Sequence, residues 1–173
     1  MEIVVELAKL IIPSAIVLYG MYLTVRSFTT KELEKLMLDY KMRSRDTVLP
    51  IRLQAYERMC LFLERISPNN LVVRLNDSAY NAKQFQQILL GEIRNEFNHN
   101  LSQQVYMSDE AWEAVTSAKE TVITVINQAG EELSQETKGV ELAKKVFEKM
   151  LEKDPDPIAY ALAIVKNEIR QVF

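Results

Sequence analysis

The densest run of polar chemistry in the chain is GEIRNEFNHNLSQQ, residues 91–104, and it carries the sole histidine, His99. Two combinations within it have chemical meaning. Advancing about 100° per residue along a helix brings Glu92, Glu96 and His99 within about 60° of arc on one edge. Two carboxylates and an imidazole so placed are the ligand types of a divalent metal, although three ligands from one edge leave a site incomplete. The second combination is Arg94 with His99, a guanidinium and an imidazole five positions apart. Cys60 is the only thiol and falls on the apolar stripe of its helix, so it reads as a packed side chain, not a nucleophile. With one His and one Cys, any site needing two imidazoles or two thiolates must borrow from a second chain.

Each combination has a relative. The Glu96-x-x-His99 pair with Glu92 a turn earlier resembles one arm of the di-iron carboxylate bundles, which require two such arms. A metal on Glu92, Glu96 and His99 would therefore imply a dimer. Arg94-x4-His99 resembles the Arg-x4–6-His motif of the HEPN-type helical ribonucleases, which implies an α-helical domain and RNA cleavage at a dimer cleft. Both resemblances cover a few residues only. The expectation is that His99 and its neighbours serve helix packing, with no cofactor, metal, nucleic acid or small-molecule substrate evident. Four glycines scattered at 20, 91, 130 and 139 give no phosphate-binding loop.

The elements that would hold these residues are helices. Gly and Pro together number only nine of 173 residues, and the apolar residues recur at steps of three and four. Leu33, Leu36, Met37 and Tyr40 mark one stripe; Leu49, Leu53, Tyr56, Cys60 and Leu63 mark the next. Ser67-Pro68 caps a short helix through Leu75, unless Leu71-Val72-Val73 is a strand stub. Phe85, Leu89, Ile93, Phe97 and Leu101 give a long helix ending near Tyr106. Ser108 caps another, along which Trp112 to Leu133 form the stripe and TVITVI at 121–126 is helical despite its β-propensity. A seam at Thr137–Gly139 precedes a fifth helix, and Asp156-Pro157 opens a last one that is apolar around much of its circumference.

The N-terminus differs. Residues 10–25, LIIPSAIVLYGMYLTV, hold no charge, and residues 3–25 are interrupted only by Glu6 and Lys9. A bilayer core takes roughly 20 mostly apolar residues, so this run predicts a transmembrane anchor over 1–25. A signal peptide would need a basic start and a small-residue cleavage site, and neither is present. Arg26, Lys31, Lys35, Lys41, Arg43 and Arg45 follow the run, a basic juxtamembrane helix over 26–46 suited to anionic headgroups. Basic residues on this side place the N-terminus outside and residues 47–173 in the cytoplasm as an α-helical domain. Charge is uneven: six basic against three acidic side chains over 26–45, and six against eleven over 108–154.

The expected fold is therefore all-α: one N-terminal transmembrane helix and a cytoplasmic bundle of five to six helices at a bacterial inner membrane. The span together with LPIRLQAYERMCLFLERISP and EFNHNLSQQVYMSDEAW resembles a group of uncharacterised single-span membrane proteins of Bacteroidota-type bacteria, which carries no assigned activity. Together these features predict a non-catalytic adaptor or accessory subunit of a larger membrane complex. Its partners would be the bilayer and a membrane protein or a second copy; the alternative is a membrane-tethered ribonuclease acting through Arg94 and His99.

Overall fold

Six α-helices and one 3₁₀ turn account for the chain in the computed structural model, which describes residues 1–171, without the side chains of residues 2, 4–8, 10, 13 and 44–46. The helices are α1 (Glu2–Ile66), α2 (Pro68–Leu75), α3 (Ala82–Asn100), α4 (Asp109–Glu131), α5 (Gly139–Leu151) and α6 (Pro157–Arg170), with the 3₁₀ turn at Leu101–Tyr106. The chain divides into two units, Met1–Leu49 and Pro50–Phe173.

In the first unit α1 stands alone, and the side chains described on it are exposed from Ile11 to Arg43. The transmembrane anchor expected over 1–25 is not supported. Among the described residues, no helix is long and apolar enough to cross a membrane. The uncharged run with a continuous side-chain description is residues 14–25, about 18 Å of helix against a hydrocarbon core of about 30 Å. Ser14, Tyr19, Gly20, Tyr22 and Thr24 dilute it further, and Arg26 ends it. The parts of the expected anchor at residues 2, 4–8, 10 and 13 lie outside the described side chains. The inner-membrane placement with the N-terminus outside falls with the span, because the positive-inside argument has no crossing helix to orient. Arg26, Lys31, Lys35, Lys41 and Arg43 are exposed along α1, and Arg45 lies outside the described side chains.

The second unit is built on amphipathic stripes. Residues Ala55, Tyr56, Met59, Phe62, Leu63 and Ile66 of α1 are buried at steps of three and four. They join Leu71 and Val72 of α2, Phe85, Leu89 and Ile93 of α3, and the long buried face of α4 in one core. Helix α4 packs against α3, α5 and α6, and α2 closes on α3 and α5. TVITVI is helical, with Val122, Val125 and Ile126 buried, because the period of its neighbours and the burial it allows outweigh local propensity. Helix α6 buries one face only, through Ile158, Ala161, Leu162 and Val165, so it is less fully enclosed than its composition predicts.

Caps set the helix starts. Ser108 accepts from the Ala111 amide, and Asp156 from those of Ile158 and Ala159 with Pro157 following. Helix α3 opens with a reciprocal capping box between Asn81 and Gln84. Ala82 donates to Thr137 O at 2.6 Å and Gly139 donates to Tyr80 O at 2.9 Å, which pins the starts of α3 and α5 together. A Cβ on Gly139 would lie 3.1 Å from that same carbonyl and 3.4 Å from Phe85 Cβ, a tight fit that a side chain would relieve only by pushing these neighbours a few tenths of an ångström.

Candidate functional site

The polar cluster of the sequence covers the last three turns of α3 and runs into the 3₁₀ turn, and its carboxylates meet α1 and α2. Glu96 receives Arg65 Nε at 2.7 Å and Arg65 Nη2 at 2.5 Å. Glu92 receives Arg74 Nη1 at 2.6 Å, with Arg65 a further 3.8 Å away. Both carboxylates of the expected metal pattern are thus taken up by arginines from α1 and α2. Among the described residues no group of three or more His, Cys, Asp or Glu side chains is placed to hold a metal ion. Asn100, buried, donates its amide to Glu96 O and closes the helix end.

Between α1 and α3 lies an open cleft of about 490 Å³. Arg58 and Arg65 line it from α1, Asn95 and His99 from α3, and Leu61 and Phe62 form its apolar floor. Arg94 is not among its walls. Arg94 and His99 stand five positions apart, which sets them about 140° apart around the helix. Both are exposed. Within one chain the structure therefore does not bring together the pair that the ribonuclease resemblance needs.

Behind the cleft is an aromatic stack. Phe62 and Phe97 have ring centroids 5.8 Å apart, Phe97 and Trp112 stack at 5.5 Å, and Lys119 Nζ sits 4.0 Å over the Phe97 ring. Cys60 is partly buried beside this core as a free thiol. Burial pushes its pKa up, a nearby Lys166 opposes this weakly and Glu64 adds to it. Alkylation by iodoacetamide at neutral pH is expected to run slower than for an unfolded control, because the thiolate is the reacting species. Equal rates would show the thiol is open.

A second polar centre was not visible in the sequence. Tyr56 on α1 and Ser108 at the start of α4 both donate to the Glu168 carboxylate on α6, Ser108 through its amide at 3.0 Å and its hydroxyl at 2.8 Å. Arg52 donates to the Tyr56 hydroxyl at 2.9 Å and to Tyr106 O at 3.2 Å. These hydrogen bonds join α1, α4 and α6, so the centre is a tie between helices. Only the Arg52–Tyr56 spacing of four hinted at it.

Residues 2–172 match the family described as a family of unknown function, DUF7935. The chain belongs to DUF7935. No curated protein and no solved structure shows a significant match. Membership agrees with the coarser part of the whole-chain resemblance, kinship with proteins that carry no assigned activity. In DUF7935 terms, the match covers both units and so takes in the exposed length of α1 as well as the bundle that carries the cleft.

Proposed function

We propose that this DUF7935 chain, whose sequence resembles proteins of Bacteroidota-type bacteria, is a non-catalytic helical adaptor or accessory subunit of a larger protein complex. The observation that supports this is the apolar face left open on α1. Leu18, Tyr22, Val25, Thr29, Leu33, Leu36 and Tyr40 fall within about 80° of arc over about 33 Å of helix. Leu18 is 67%, Leu36 60% and Tyr40 77% exposed. Contiguous apolar surface of this kind marks an interaction site.

The shape suits one occupant, a helix of a partner subunit laid along the stripe. At roughly 100 Å² per large apolar side chain, six of them offer about 600 Å², near the roughly 800 Å² each side of a stable interface buries. The Thr29 hydroxyl donates to Val25 O at 2.8 Å, so covering the face leaves no unmet donor there. Glu32 and Asp39 run along one edge of the stripe and Arg26 along the other, so the partner helix carries the opposite flanks.

Photo-crosslinking from positions 18 and 36 of the full chain in its native host tests this. Both positions are expected to capture the same partner polypeptide through one helical peptide, and Leu36→Glu is expected to abolish the product. Different polypeptides at the two positions, or self-crosslinks alone, would overturn the adaptor. So would cleavage of RNA by the purified chain that His99→Ala removes without unfolding it, which would install the ribonuclease instead.

A further inference from the structure

Among the described residues the buried polar side-chain atoms all have partners, and the half-buried basic side chains Arg52, Lys119, Lys145 and Lys149 are each ion-paired. The cleft between α1 and α3 departs from this pattern. Arg58 is half-buried there and makes no hydrogen bond, ion pair or ring contact with any described residue. Asn95 and His99, on the opposite wall, are also without a partner among the described residues. A partly desolvated guanidinium has five N–H donors and no acceptor, and it is costly to leave unmatched. The carboxylate that also lines the cleft, Glu96, is already taken by Arg65.

The charge balance around the cleft narrows the chemistry. Arg65 and Arg74 are matched by Glu96 and Glu92, so the uncompensated charge is the single positive one on Arg58. One positive charge with a planar donor fork suits a monoanionic, planar group, which a carboxylate is and a phosphate dianion is not. The floor formed by Leu61 and Phe62 suits an apolar body attached to it. The volume of about 490 Å³ lies within the usual range for small-ligand clefts.

We infer that this cleft binds the carboxylate of an apolar acid, with Arg58 gripping the carboxylate, Asn95 and His99 donating from the other wall, and Leu61 and Phe62 holding the apolar portion. The site is independent of the α1 stripe and of the adaptor role.

The test is titration of the full chain with hexanoate and 3-phenylpropionate, followed by calorimetry and by NMR of the His99 ring and the Asn95 side-chain amide. Both acids are expected to bind and to shift these signals. Hexanamide, which keeps the body and loses the charge, is expected to bind about tenfold or more weakly. Arg58→Met keeps the apolar stem and is expected to weaken the acids by the same factor. Arg94→Met, on α3 with Asn95 and His99 but outside the cleft, is expected to leave binding unchanged. If Arg58→Met fails to fold, Arg58→Lys serves instead; it keeps the charge, loses the fork, and is expected to bind the acids several-fold more weakly. No saturable binding of either acid, equal affinity for hexanamide, no effect at Arg58, or tighter binding of inorganic phosphate than of the acids would each overturn the site.

Discussion

Replacing Phe62 with alanine is expected to destabilise the helical unit by about 3–5 kcal/mol, the usual cost of emptying a buried aromatic position. Phe62 is 1% exposed and sits at the junction of three helices. Its ring meets Phe97 of α3, and through Phe97 the stack reaches Trp112 of α4 and the ammonium of Lys119. Truncation removes the first member, so both the transfer term and the loss of ring contact contribute. The control is Phe28→Ala on the same helix. Phe28 is 67% exposed, so its loss should change stability by no more than about 0.5 kcal/mol. Urea unfolding of the two variants measures the contrast. Equal midpoints would mean that residues 50–66 of α1 do not pack as described.

The second large effect is expected at Glu168. One carboxylate there accepts from the Tyr56 hydroxyl, the Ser108 amide and the Ser108 hydroxyl, with Arg52 3.6 Å away. Glu168→Leu strands these donors at the meeting point of α1, α4 and α6. The Glu168 side chain is 19% exposed, so solvent screens part of the loss. About 2–3 kcal/mol is expected, which lowers the Tm by roughly 4–12 °C. Glu168→Gln keeps one acceptor oxygen and should lose less. A melt of Glu168→Leu indistinguishable from the parent would remove the network from the account of stability.

The same network gives a pH dependence. Burial raises the Tyr56 pKa first, and the hydrogen bond to Glu168 and its negative charge raise it further, against a smaller lowering by Arg52. A raised folded pKa means that the folded state holds the proton more firmly than the unfolded one. The resulting stability is fully present below the ordinary tyrosine pKa of about 10 and is lost as pH rises through the folded value. Tyr56→Phe should flatten this alkaline decline, with tyrosinate absorbance and thermal melts as the readouts.

Where the sequence was legible, the deciding interactions were local. Pro68, Ser108 and Asp156-Pro157 mark helix starts because a cap or a proline acts within three residues of itself, whereas the expected Ser67 cap does not form: its hydroxyl donates to Glu64 O. The burial of Tyr56 and Leu63, the stripe on α4 and the all-helical class followed from a period of 3.6 in the same way. Even among short-range features some escaped: Asn81 and Gln84 form a capping box at the start of α3. Residues 101–106 tightened into a 3₁₀ turn, and α1 continued unbroken through Leu49-Pro50.

Chain order alone could not say which charges meet. Glu92, Glu96 and His99 do share an edge of α3, as the spacing required, but α1 and α2 bring Arg65 and Arg74 to the carboxylates and so exclude them from serving as free ligands. Tyr56 and Glu168 stand 112 residues apart and touch. Leu36 and Leu63 carry the same apolar periodicity on the same helix, yet one is exposed and the other buried. The sequence determined helix type, helix starts and the apolar stripes, because these depend on contacts within about one turn. Only the tertiary structure decided which stripe finds a partner, which carboxylates are neutralised, and that Arg58 is left facing an open cleft. Those outcomes depend on packing between elements that the chain order does not encode locally.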